Sequence, residues 1–168
     1  TLIDSFKNAD KACDKLAHET ILGFDTETKP SFKKGVSYNP SLLQLAGSDY
    51  VFLFRINVIG IPTKLKTLLE DSKIIKAGVA VNRDLSDIQK MSKIRPDNFI
   101  DIAEEAKKQQ LDNHGLRNLA ALILNFRISK GKRTSNWERD DLTSGQIRYA
   151  ATDAWVSREI YLKISVKR

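Results

Sequence analysis

Ile21-Leu22-Gly23-Phe24-Asp25-Thr26-Glu27-Thr28 is the stretch on which the fold turns. Its first half is an apolar run short enough for a buried strand, and its second half is abruptly polar. Strand side chains alternate faces, so Asp25 and Glu27 project to one side at the C-terminal end of that strand. Ligands of open α/β sheets bind at this end. Two neighbouring carboxylates repel unless a proton or cation intervenes, and an all-oxygen donor set suits Mg²⁺ or Mn²⁺. Alone, Asp-x-Glu describes an exposed strand end equally well.

Upstream, Phe6, Ala9, Cys13, Leu16 and Ala17 recur at helical spacing behind Asp4 or Ser5, either of which can cap. Downstream, Leu42–Ala46 and Val51–Phe54 flank Gly47-Ser48-Asp49 and read as a hairpin. Pro62 opens a helix through Leu65, Leu68 and Leu69. A strand over Ile74–Val79 leads to a helix marked by Leu85, Ile88 and Met91, then a short strand at Phe99–Ile102. Beyond it Leu116, Leu119, Ala120 and Ile123 form one helical stripe. A long last helix carries Ile147, Ala150, Ala151, Ala154, Ile160 and Tyr161. A meander of strands followed by strands alternating with helices predicts an α/β domain with a mixed sheet flanked by helices.

The 168 residues suit one domain spanning 1–168, undivided by repeats or Pro/Gly-rich linkers. A composition 41% hydrophobic and 29% charged is that of a soluble globular protein, and no apolar run approaches bilayer length, so no membrane partner is expected. Cys13 is the single cysteine, which rules out an intrachain disulfide and suits a reducing, intracellular setting in cytoplasm or nucleus. With no secretory apolar region after Thr1, a processed chain or excised domain without signal peptide is expected. The net charge of +7 favours an acidic partner such as nucleic acid.

Three further side chains join the two acids. Asp84 follows the second buried strand at the start of a helix, where Asn82 or Asp84 could equally be a cap. Tyr149 and Asp153 stand at i and i+4 on the last helix and share a face. Four acids and a tyrosine on two strand ends and two helices converge if the last helix crosses the C-terminal edge of the sheet. Two divalent ions ~3.5–4 Å apart, as used in phosphoryl transfer, need about this many carboxylates.

As an ordered set these segments resemble a known family. Gly23–Thr28 (GFDTET), Gly78–Leu85 (GVAVNRDL) and Tyr149–Trp155 (YAATDAW) are similar to the three motifs of the DEDDy 3′-5′ exonucleases. Ser41–Ala46, Lys76–Gly78 and Arg133–Trp137 agree with that likeness, which covers almost the whole chain. The nearest subgroup is the exonuclease domain of Werner-syndrome helicases and its stand-alone relatives, with ribonuclease D more distant. The resemblance implies a ribonuclease H-like fold, with Asp25, Glu27, Asp84 and Asp153 holding two divalent metal ions, Mg²⁺ or Mn²⁺. Tyr149 would position or deprotonate the water that attacks the terminal phosphodiester, releasing nucleoside 5′-monophosphates from DNA 3′ ends. RNA trimming in the manner of ribonuclease D is the alternative substrate, and a catalytically silent nucleic-acid-binding module of the same fold is the rival class. The chain departs from the Werner-type pattern at Leu85-Ser86, where that subgroup carries a large aromatic just beyond the acid.

Two basic stretches are the expected substrate contacts. Lys33 and Lys34 follow Thr26 and Thr28, with Phe32 among them as a wedge against the terminal base or a loop aromatic folded onto the core. Lys130, Lys132 and Arg133 precede the last helix, and Arg148 lies on it. These residues are expected to bind the strand backbone, which makes binding salt-dependent. DNA or RNA 3′ ends are thus the expected partners, with association with a larger nucleic-acid-processing protein a further expectation. Trp137 and Trp155 are expected in the core or anchoring loops rather than stacking on bases.

Overall fold

Among the described residues six strands form one mixed sheet, with helices on both faces. The structure, a computed structural model, describes residues 1–111, 114–129, 131–132 and 134–166. The strands are β1 (Leu2–Ile3), β2 (Ile21–Thr28), β3 (Pro40–Ala46), β4 (Val51–Phe54), β5 (Ile75–Gly78) and β6 (Phe99–Asp101). Their spatial order is β1-β4-β3-β2-β5-β6, which puts β2 inside the sheet. β2 runs antiparallel to β3 and parallel to β5, so the sheet changes character at the strand carrying Asp25 and Glu27. The helices are α1 (Phe6–Leu16), α2 (Ile56–Ile59), α3 (Thr63–Glu70), α4 (Val81–Met91), α5 (Ile102–Lys108), α6 (Leu116–Leu124) and α7 (Ser144–Ser165).

Alternation along β2 sends its buried apolar side chains to one face and leaves Gly23, Asp25 and Glu27 on the other. Leu22 and Phe24 join Leu43, Leu45 and the apolar stripes of α1, α3 and α4 on one face. On the other, Ala77 packs with α5, α6 and the C-terminal half of α7, while Leu42, Leu53, Trp137, Leu142 and Ala150 form a core beneath the start of α7. Burying one such Leu or Phe side chain contributes about 1.5–3 kcal/mol.

Helix α7 is fixed at both ends of its crossing. Thr143 and Gln146 form a reciprocal capping box at its N-terminus, and Gln146 Nε2 also donates to the Asn136 carbonyl at 3.1 Å. Further along, Arg158 Nε donates to the Ile21 carbonyl at 3.1 Å and its guanidinium pairs with Glu19 at 3.7 Å, tying α7 to the start of β2.

The expected hairpin, strands and helices are present, with differences of detail; Ala17, expected on the first helical stripe, lies exposed just past the end of α1. Phe6 is 64% exposed, because the buried stripe of α1 begins one turn later, at Ala9. The edge strand β1 and the single turn α2 are too short to show any periodicity in sequence. Trp137 is buried in the core, and Trp155, half-exposed, packs edge-on against Phe126 of the loop after α6, so the two tryptophans take the two expected roles. Among the described residues no helix is long and apolar enough to cross a membrane.

Candidate active site

The site begins with two close backbone approaches. A Cβ on Gly23 would stand 1.9 Å from the Ala154 carbonyl oxygen, so only glycine lets α7 lie directly on β2. That contact brings Asp153, one residue earlier on α7, over the polar end of the strand. At Gly78 a Cβ would stand 2.6 Å from the Phe24 carbonyl oxygen, so β5 turns into α4 hard against the same strand. The turn passes through Ala80 at φ 57°, a left-handed conformation that is strained for a non-glycine residue.

Asp25, Glu27 and Asp153 each offer a carboxylate oxygen, and these oxygens lie within 4.8 Å of one another. Asp84 stands apart from this trio. Thr26 projects to the opposite side of β2, and its hydroxyl donates to Asp84 Oδ1 at 2.8 Å. The fourth acid is therefore held at the edge of the group from the α4 side, while the expected convergence is met by three. The Thr26 N–H donates to Asp25 Oδ1 at 2.9 Å, so Thr26, expected as a nucleic-acid contact, braces two of the acids.

Burial and mutual repulsion govern the charges. Burial, then the Asp153 and Asp84 charges, holds the Asp25 carboxyl well above its ordinary range. Glu27 is pushed up to about 10 by burial and then by Asp25, Asp153 and Asp84. Burial raises Asp84 and Asp153 to about 6 each; Thr26 offsets part of the rise at Asp84, and Tyr149 and Arg117 part of that at Asp153. Asp153 Oδ1 is buried without a hydrogen-bond partner among the described residues. An all-oxygen trio, self-repelling and with an orphaned oxygen, fits a divalent cation. Tyr149 is raised above its ordinary value by burial and then by the Asp153 and Glu27 charges, which keeps its hydroxyl protonated.

A cleft of about 730 Å³ opens beside the trio, lined by Gly115, Leu116, Arg117, Asn118, Thr134, Tyr149 and Asp153. Thr134 also lines a second recess of about 310 Å³, formed by Lys29, Pro30, Ser31, Phe32, Lys33, Tyr38 and Asn136. The two cavities thus meet at one residue. Lys29 bonds Glu138 at 3.0 Å and lies over the Tyr38 ring, which joins the loop after β2 to the segment after Trp137. Buried Arg55 pins that segment further by donating to the carbonyls of Asp140 and of Arg139, the latter at 2.7 Å.

Phe32 is 90% exposed, so it does not fold onto the core. Lys33 lines the recess beside it, Lys34 is exposed nearby, and Thr28 is half-buried where the β2–β3 register slips. Lys132 lies against Gly145 in the first turn of α7. Arg148 is exposed on α7 and is not among the residues that line the cleft. Lys130 and Arg133 fall outside the described residues. Arg117 and Asn118 of α6, which line the cleft, carry no sequence signal: a polar pair between apolar stripe positions reads as an ordinary solvated helix face.

A family model described as 3′-5′ exonuclease matches residues 1–167, so the chain belongs to the 3′-5′ exonuclease domain family. It is 32% identical over 156 residues to the mouse bifunctional 3′-5′ exonuclease/ATP-dependent helicase WRN, covering 89% of this chain and 11% of that protein. An Arabidopsis thaliana 3′-5′ exonuclease is 31% identical over 153 residues, covering 84% of this chain and 51% of the relative. The chain therefore spans about half or less of these relatives. Among solved structures, the Aedes aegypti Nibbler EXO domain has a TM-score of 0.88 at 25% identity, covering 99% of this chain and 87% of that one. Escherichia coli RNase D has a TM-score of 0.89 at 22% identity, over 99% of this chain and 44% of that one, a likeness of fold. The mixed sheet with flanking helices is the ribonuclease H-like exonuclease fold.

Proposed function

We propose that this chain is a single, metal-dependent 3′-5′ exonuclease domain that removes nucleoside 5′-monophosphates from the 3′ ends of DNA. The observation that carries the proposal is the trio of Asp25, Glu27 and Asp153 gathered beside Tyr149 at the mouth of an open cleft. Two Mg²⁺ or Mn²⁺ ions held by Asp25, Glu27, Asp153 and Asp84 would supply Lewis-acid activation of water and stabilisation of the departing 3′-oxygen.

The chain's own groups do the rest. Asp25 and Glu27 sit on a sheet strand and Asp153 on a helix locked to it, so the ligand oxygens are held by rigid elements. Tyr149 orients the attacking water through its hydroxyl. Arg117 supplies positive charge in a cleft whose other charged group among the described residues is Asp153, and binds a substrate phosphate there. Phe32 and Tyr38 offer aromatic surface to the next bases, with Lys33, Lys34 and Lys132 along the strand backbone. Lys130, Arg133 and Arg148 extend that basic track.

RNA is the second reading, and one observation favours it. A Trypanosoma brucei RNase D solved as a complex with RNA U12 shares the fold at a TM-score of 0.84 and 16% identity. DNA and RNA strands of one sequence, labelled at the 5′ end and incubated with Mn²⁺, separate the two. Faster shortening of DNA supports the proposal; faster shortening of RNA keeps the mechanism and reverses the substrate.

A further inference from the structure

Gln44 of β3 is paired directly with Asp25 of β2. Residues paired across antiparallel strands share a face, with Cβ atoms about 4.5–5.5 Å apart. The amide therefore lies on the carboxylate side of the sheet, under the helix that carries Asp153. It is 0% exposed, and neither Nε2 nor Oε1 has a hydrogen-bond partner among the described residues. A primary amide carries two N–H donors and an accepting oxygen, and a buried one is nearly always satisfied.

The packing around Gln44 makes the amide conspicuous. Leu42, Leu43 and Leu45 surround it in sequence, and Leu53 is its partner on β4. Leucine at position 44 would continue that apolar core with no polar group to desolvate. Local rules broken without local compensation mark functional positions, where stability is given up for the site.

We infer that Gln44 is a positioning residue for the carboxylate trio. The amide makes no hydrogen bond to Asp25 in this structure, but with a cation drawing the carboxylates together its Nε2–H is placed to donate to Asp25 and to fix the direction in which the Asp25 oxygens meet the cation. The Thr26 N–H already holds Asp25 Oδ1 from the strand itself, so Gln44 supplies the restraint from the neighbouring strand. The amide touches neither substrate nor reacting atoms. The inference rests on the cation-binding reading above.

Gln44→Leu and Gln44→Met test it, the second being unbranched and nearest in shape to glutamine. Melting temperature in EDTA and Mn²⁺ affinity by calorimetry are read for each folded variant beside the wild type. The expected result is a melting temperature at or above that of the wild type, with Mn²⁺ affinity lowered about 10–100-fold, as for other residues that orient metal ligands. A purely structural amide gives the reverse, a lower melting temperature with Mn²⁺ affinity unchanged, and that result overturns the inference. Unchanged Mn²⁺ affinity in a variant as stable as the wild type also overturns it. Failure of the wild type to bind Mn²⁺ is a different outcome, which removes the cation reading and the role of Gln44 with it.

Discussion

Gly23 of β2 lies beneath Ala154 of α7 so closely that a Cβ on the glycine would stand 1.9 Å from the alanine carbonyl oxygen. The adjacent residue on the helix is Asp153, so the position of this carboxylate over Asp25 and Glu27 depends on a missing methyl group. Gly23→Ala must push α7 off the sheet. The expected cost is about 1–3 kcal/mol or more, because the obstacle is backbone and cannot rotate away. A displacement of ~1 Å at a catalytic group costs about 100-fold in rate, so turnover falls even where the variant folds. Urea denaturation and turnover check the two effects; full activity in a destabilised variant contradicts the coupling.

Cation binding should be visible in stability. The trio repels itself when no cation is bound, so Asp153→Asn should melt higher than the wild type in EDTA. Adding Mn²⁺ at about 100 times its dissociation constant stabilises the wild type by about 2.7 kcal/mol, roughly 5–10 °C for a chain of this size. The same addition should leave the Asp153→Asn variant nearly unshifted. Scanning calorimetry with and without Mn²⁺ checks both; equal shifts in the two proteins contradict the assignment.

Tyr149 is a hydrogen-bonding group in this account; burial and the neighbouring carboxylates raise its pKa in the cation-free site. Tyr149→Phe should lower kcat by about 100-fold, as for loss of a positioning contact, while leaving the Mn²⁺ dissociation constant within about twofold. Single-turnover kinetics and Mn²⁺ titration measure these separately. An unchanged kcat shows that the hydroxyl is dispensable.

Lys76 predicts a pH dependence away from the site. It is fully buried, donates to the Asp71 carbonyl at 2.7 Å, and burial lowers its pKa to about 8. Below that value the ammonium is charged in both folded and unfolded chains, and the folded chain bears the whole desolvation penalty. Between about 8 and the unfolded value near 10.5 the folded chain binds fewer protons, so stability rises with pH. Lys76→Met should therefore melt above the wild type at pH 7, with the difference narrowing as pH rises from 8 to 10.5. A pH-independent difference between the two proteins contradicts it.

Much of this was legible in the sequence where a pattern is local. The apolar-then-polar run at Ile21–Thr28 reads as a strand with two acids on one face at its end, and Tyr149 and Asp153 share a helical face by spacing alone. The position of Asp84 was not legible in this way. Its distance from the trio follows from α4 covering the opposite face of β2, where the Thr26 hydroxyl meets it, and that is a tertiary relationship. Arg117 lines the cleft because of the way α6 is set against α7, and nothing in its own neighbourhood distinguishes it from a solvated arginine. Gln44 reads as a polar interruption in a leucine-rich strand until its pairing with Asp25 is known.

The central claim is that the acids of β2 drive cation-dependent release of nucleotides from a 3′ end. DNA labelled at its 3′-terminal nucleotide, incubated with Mn²⁺ or with EDTA, tests it against the Asp25→Ala/Glu27→Ala variant. The account predicts that the wild type releases labelled nucleoside 5′-monophosphate with Mn²⁺ and not with EDTA, and that the variant releases none. Release in EDTA, equal release by the variant, or a product carrying a 3′-phosphate would contradict it.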